Sequence, residues 1–199
     1  MILDIVPLVG FLLLALILFS RIITLHKQGI QLSSKAANNN KVSKLLLPVF
    51  VLIFLLWLFE IVRPAFQISL HFLPEPLSNW LSECIILKIT GSIFILISLI
   101  MWVITLTHFN TSLRFGLDKN TRGKLITIGI FSISRNPFFL SLDIYFIGTA
   151  MVLPSIFFLV FAATTVVSIH FFILKEERFM ADNYSEEYLK YRQKTRRYF

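Results

Sequence analysis

Cysteine is all but missing: Cys84 stands alone among 199 residues, which excludes an intramolecular disulfide and any cysteine-built metal site. Charge is scarce too, with charged residues at 15% of the chain against 56% hydrophobic. Mean hydropathy is +0.78, outside the balance of soluble domains. Acidic residues are the rarer sign, 11 against 19 Lys and Arg, which leaves a net charge of +8. Basic charge of this size suits nucleic acid only when a groove-reading motif goes with it, such as paired Cys/His ligands. None is present, and the basic residues fall between apolar runs, where topogenic charge and attraction to anionic lipid account for them. Matching halves are also lacking, since no pair of broken helices repeats, and this weighs against a transporter.

What the chain has in quantity is apolar runs, at about residues 5–25, 45–62, 85–107, 138–153 and 155–174. At roughly 20 residues per bilayer crossing they predict an all-α, polytopic membrane bundle of about five transmembrane helices, the fourth one short. The first run begins with Asp4 rather than a basic stretch, and no small-x-small cleavage site follows it. A retained first helix is therefore expected. Residues 1–110 are expected to form a three-helix membrane region. Residues 111–199 are expected to form a helical hairpin with a cytosolic tail. Pro154 removes a backbone donor between the last two runs and predicts the hairpin turn.

Lys and Arg mark one side. Arg21, Lys27, Lys35, Lys41 and Lys44 fill the first joint, which also holds the run Asn38-Asn39-Asn40; Arg114, Lys119, Arg122, Lys124 and Arg135 fill the third. Lys175, Arg178, Lys190, Arg192, Lys194, Arg196 and Arg197 follow the last run, and only Arg63 and Lys88 fall elsewhere. The positive-inside rule then puts the N-terminus outside and the C-terminus in the cytosol.

The third joint ends in Ser134-Arg135-Asn136-Pro137, directly before the fourth run. Pro137 suits a first helical turn, where its missing N–H would be unpaired anyway. Arg135 thus stands at a helix N-terminus, and its planar five-donor fork suits a carboxylate. Snorkelling to lipid phosphate is the plainer alternative. Glu176 and Glu177 follow the last run at the same level, where the helix dipole and anionic lipid both disfavour acid. They call for a partner, either Arg135 itself or a ligand with hydroxyls or a positive centre. Asp143 lies six residues inside the hairpin from Pro137, and His170 six from Glu176. Both sit roughly 9 Å below the helix ends, close enough to meet, and ionisable groups at that depth mark functional sites. The plainer reading is that Asp143 fixes His170 for helix packing. Residues 176–191 read as an amphipathic tail helix, with Phe179, Tyr184, Tyr188 and Tyr191 as an interfacial stripe. Trp57, Trp80 and Trp102 are expected to pack or to anchor at the membrane interface.

Leu125-Ile126-Thr127-Ile128-Gly129, Arg135-Asn136-Pro137, the apolar hairpin, Glu176-Glu177, and Tyr188 with Tyr191 before Arg196-Arg197 occur in an order that is itself informative. Together they resemble the membrane-embedded isoprenylcysteine carboxyl methyltransferase and phospholipid methyltransferase families, small bacterial members above all, over residues 123–199. The resemblance implies S-adenosylmethionine at the cytosolic side and a lipid-like acceptor entering from the bilayer, with no metal. It assigns cofactor binding to Gly129, Arg135, Asn136, Pro137, Phe139, Glu176, Glu177, Tyr188 and Tyr191. In this reading Arg135 holds the cofactor carboxylate, and Glu176 or Glu177 accepts from ribose or amino groups. Arg135, Glu177, His170 and Asp143 form the expected catalytic set, the last two orienting or deprotonating a thiol or amine acceptor. Phe139 stands where the families commonly have tyrosine, and Ser141 where glycine or another small residue is frequent. Two other readings stay open: a nicotinamide-dependent membrane reductase of sterol-reductase type, and a non-enzymatic membrane scaffold.

Overall fold

The computed structural model describes residues 2–30, 41–109 and 125–198. Asn38-Asn39-Asn40 and the basic residues Lys35, Arg114, Lys119, Arg122 and Lys124 lie outside the described residues.

A short 3-10 helix, Ile2–Ile5, leads into α1 (Val6–Lys27), followed by α2 (Lys41–Ala65), the one-turn α3 (Glu75–Ser78), α4 (Ile85–Phe109), α5 (Pro137–Val152) and α6 (Ile156–Lys194). Among the described residues the regular secondary structure is helical, joined by turns and irregular segments, with two isolated bridges, Trp80 to Ser155 and Ser134 to Arg196. Four helices are long and apolar enough to cross a membrane, and α5 is a shorter apolar helix of 16 residues. The five expected runs coincide with α1, α2, α4, α5 and the first half of α6.

Apolar residues surround these helices, so burial cannot come from an amphipathic stripe as it does in a water-soluble bundle. Close backbone approach and buried polar contacts take its place. α4 and α5 meet most extensively, at Gly91 and Gly148, and Ser98 Oγ donates to the Ser141 carbonyl at 2.7 Å. α1 is tied to both by side chains: Tyr145 donates its hydroxyl to the Pro7 carbonyl at 2.8 Å, and Trp102 donates Nε1–H to the Leu14 carbonyl at 3.2 Å. The Trp57 ring stacks on Phe161 at 5.5 Å and meets Phe146 edge-on. Trp57 and Trp102 are thus core residues. Trp80 lies under the Lys88 ammonium, 4.0 Å from its ring centre.

α5 and α6 form the expected hairpin. Ser155 caps α6 by accepting from Phe158 N–H, and Leu81 N–H docks on the Pro154 carbonyl. Residues 176–191 are helical as expected, but as a continuation of α6, which runs without interruption past Glu177 as far as Tyr184. Its apolar part ends at Leu174. The break comes at Ser185, whose φ of 44° lies in the left-handed region, an unusual conformation for a residue with a side chain. The segment from Glu186 to Lys194 then turns across the loop before α5, and residues 195–198 run back beside α6. Tyr188 and Tyr191 are not an interfacial stripe: both are buried, packed with Leu125. Tyr191 donates its hydroxyl to the Phe131 carbonyl at 2.6 Å. A tyrosine row at near-helical spacing reads as amphipathic from sequence, but here a loop from elsewhere in the chain covers it.

Candidate functional site

Pro137 opens α5, and Asn136 precedes it in a non-helical conformation. The tail bridges to this entry: Arg135 N–H donates to the Arg196 carbonyl at 3.0 Å. The entry to α5, the middle of α6 and the chain terminus thus converge at one point.

Glu177 is the centre of it. Its Oε1 accepts from Arg135 Nη2 at 2.7 Å and Nε at 3.2 Å, and from Asn136 Nδ2 at 3.4 Å. Its Oε2 accepts from Arg197 Nη2 at 2.8 Å and Nε at 3.2 Å. Side chains of Arg135 and Glu177 are more than nine-tenths buried, so an unpaired charge on either would carry a large desolvation penalty. Burial pushes the Glu177 carboxyl up, but hydrogen bonds from Arg197 and Arg135, together with their charges, outweigh it and hold the group below its ordinary value.

Arg135 Nη1 donates to the backbone carbonyls of Arg192 and Thr195. With the Nε and Nη2 bonds, these contacts draw on four of the five guanidinium N–H groups. The expected meeting of Arg135 with the acidic pair therefore occurs, and the partner is Glu177. Glu176, one residue earlier on α6, is half-buried on another face. Asn136 does not cap α5 with its side chain; its Nδ2 also donates to the Arg197 carbonyl at 3.2 Å.

Asp143 and His170 are not paired, contrary to expectation. His170 Nδ1 lies 2.7 Å from the Tyr198 hydroxyl, with the two rings stacked. Asp143 is 5% exposed, and its Oδ1 has no hydrogen-bond partner. Tyr198 from the returning tail takes the place at His170 that Asp143 was expected to fill. Phe139 is half-buried and packs against Phe172 at 5.4 Å between ring centres. Gly129 has φ +64°, and a Cβ on it would lie 2.1 Å from the His108 ring. The positive φ and that close approach both favour a residue without a Cβ at this position.

Three participants were not singled out from sequence: Arg197, Tyr198 and Ser134, whose Oγ donates to the Arg197 carbonyl at 3.2 Å. The surplus of arginine over acid in the tail was the available sign, since a buried carboxylate near two arginines tends to take both.

The arrangement gathers two guanidiniums, one ionised carboxylate, an amide and, deeper in, a partnerless carboxylate oxygen between two membrane helices. No curated protein matches the chain. The phospholipid methyltransferase family matches residues 84–187, which covers α4, the loop before α5, all of α5 and α6 through Glu187, and so includes Arg135, Asn136, Asp143, His170 and Glu177. With more than half of its length matched, the chain belongs to the phospholipid methyltransferase family of membrane proteins.

Proposed function

We propose that the chain transfers a methyl group from S-adenosylmethionine to a lipid-like acceptor, in the manner of the isoprenylcysteine carboxyl methyltransferases, at the Arg135–Glu177 centre. The observation that carries this reading is the convergence of Arg135, Asn136, Glu177 and Arg197, drawn from three distant segments, at one helix end in a methyltransferase family member. That end, where the tail and the N-terminus of α5 lie, faces the cytosol in this proposal, and the N-terminus lies outside.

The residues present fit such a cofactor. Arg135, Arg197 and Glu177 sum to one net positive charge, suited to a carboxylate, and Asp143 Oδ1 is a buried acceptor suited to a positive centre. Bound there, the cofactor supplies a methyl group activated by its sulfonium. Arg197 and the one N–H that Arg135 has beyond its four protein bonds would orient the carboxylate end, Asn136 holds Glu177 in place, and Phe139 packs on Phe172 beside them. Tyr188 and Tyr191 fix the Glu186–Lys194 segment over the loop, which keeps residues 195–198 closed on the site. An amine or thiol acceptor loses a proton on methylation, and Asp143 and His170 are the groups at that depth able to take it. A carboxylate acceptor has no such need.

The test is incubation of the purified protein with methyl-labelled S-adenosylmethionine and separate membrane lipid and peptide fractions. Label in a lipid-bearing fraction supports the proposal. Absence of transfer to every fraction, with no binding of S-adenosylhomocysteine, would sink it.

A further inference from the structure

Residues 196–198 close the Arg135–Glu177 centre, and they are held differently from the segment before them. Up to Thr195 the hold is buried. Tyr191 packs with Leu125 and donates to the Phe131 carbonyl, and Thr195, 6% exposed, donates its N–H to the Tyr191 carbonyl at 3.0 Å. Beyond Thr195 the hold is polar, apart from the Tyr198 ring stacked on His170. The Arg196 carbonyl accepts from Arg135 N–H at 3.0 Å, the Arg197 carbonyl accepts from Ser134 Oγ and Asn136 Nδ2, both at 3.2 Å, and the Tyr198 hydroxyl meets His170 Nδ1. Arg196 itself is exposed. Hydrogen bonds of this kind are exchanged for water at small net cost, and segments with few buried apolar contacts open locally, well below the cost of global unfolding.

Charge removes the usual obstacle to such an opening. Lifting one partner out of a buried ion pair normally strands the other. Glu177, however, has an arginine on each oxygen: the Arg135 side chain, 7% exposed, stays with Oε1, whereas Arg197 on Oε2 is 30% exposed. With Arg197 withdrawn into water, Arg135 and Glu177 remain a neutral buried pair. Withdrawal uncovers Glu177 Oε2, Asn136 Nδ2 and His170 Nδ1 together. It also takes Tyr198 away from Asp143, which is near enough for its charge to act on the Tyr198 hydroxyl.

We propose that residues 196–198 are a gate, pivoting at Thr195, that lifts to admit and release the cofactor. The proposal rests on the methyl-transfer reading of the site. Closed, the gate brings Arg197 to the carboxylate end; open, it frees the polar groups that it otherwise occupies. The pivot at Thr195 preserves the Arg135 bonds to the Arg192 and Thr195 carbonyls in both states. The cofactor then binds at a rate scaled by the fraction of molecules that are open.

Amide hydrogen exchange of the full chain in detergent, read by NMR without any ligand, tests the opening. The Arg135 N–H is bonded to the gate and the Thr195 N–H to the anchored segment, so Arg135 is expected to be the less protected of the two. Tyr198→Phe keeps the ring and removes one bond to the bundle. It is expected to speed Arg135 exchange about fivefold, the worth of one ordinary hydrogen bond, and to leave Thr195 unchanged, which also shows that the variant is folded. Stopped-flow association of S-adenosylhomocysteine tests the gating, and its rate is expected to rise by the same factor in Tyr198→Phe. Equal protection of the two amides, shifting together in the variant, would overturn the gate. Faster Arg135 exchange with an unchanged association rate would reveal an opening that the cofactor does not use, and overturn it too. Failure of S-adenosylhomocysteine to bind either protein, with the exchange pattern as expected, would sink the methyl-transfer reading and with it the cofactor as what the gate admits.

Discussion

Gly91 and Gly148 bring α4 and α5 together backbone to backbone: a Cβ on Gly91 would lie 2.6 Å from the Gly148 carbonyl oxygen, and one on Gly148 would lie 2.8 Å from that of Gly91. In lipid, where apolar burial gives helices little reason to associate, such contacts supply the packing. Gly148→Val forces the two backbones apart. It is expected to lower stability in detergent by about 1–3 kcal/mol, the usual range for overpacking, and to weaken the Ser98–Ser141 bond beyond it. Thermal unfolding measures the loss, and an unchanged midpoint would show that the seam has slack.

Glu177 links the two arginines that close the site, and its depressed pKa gives a pH signature. A carboxylate whose folded value lies below its ordinary value of 4.5 adds stability above pH 4.5. That stability drains away as pH falls through the folded value. The wild type is therefore expected to lose stability below about pH 4.5, and Glu177→Gln to start lower at neutral pH and change less on acidification. Unfolding midpoints across pH 3–7 compare the two. Parallel curves would mean that other acids dominate.

Asp143 Oδ1 is buried without a hydrogen bond, two helical turns from the Glu177 cluster. If it takes the acceptor's proton, Asp143→Asn lowers kcat by about 100-fold or more, the ordinary scale of general base catalysis, and leaves S-adenosylhomocysteine affinity within a few-fold. Tyr198→Phe removes the bond to His170 and is expected to have a smaller effect. Loss of cofactor affinity in Asp143→Asn with kcat intact would move the residue from proton transfer to cofactor binding.

Long apolar runs, Pro137 and Pro154 made the helices and the hairpin legible, because lipid burial and proline sterics act through neighbours in sequence. Arg135 and Glu177 were legible too, as charges placed where the helix dipole and the leaflet leave them unexplained. The return of the tail was not. It depends on Ser185 adopting φ 44°, for which no glycine or proline gives notice, and on Tyr191 finding the Phe131 carbonyl 60 residues away. With the return hidden, the place of Tyr198 at His170 was hidden as well, and Asp143 was the nearest group left to propose. Gly129 was legible from its motif position, and its positive φ and the close His108 ring give the local reasons for a residue without a Cβ.

At the other end of the bundle Lys88 Nζ lies 2.9 Å from Asp4 Oδ1 and 3.2 Å from Glu83 Oε2, with the lysine and Asp4 both about 95% buried. Breaking a buried ion pair by removing one partner is far more damaging than replacing both, since the survivor keeps its desolvation penalty without the compensating charge. Lys88→Met is accordingly expected to destabilise by about 3–5 kcal/mol. Asp4→Asn also destabilises, and the double variant should lose less than the sum of the two, with a coupling of about 0.5–3 kcal/mol. The pair fastens the N-terminal 3-10 helix to α4, so its loss is expected to speed proteolysis near the N-terminus while leaving the Arg135–Glu177 cluster intact. A denaturant cycle of the four proteins in detergent reads the coupling. Strict additivity would mean that the 2.9 Å contact does not hold the two segments together.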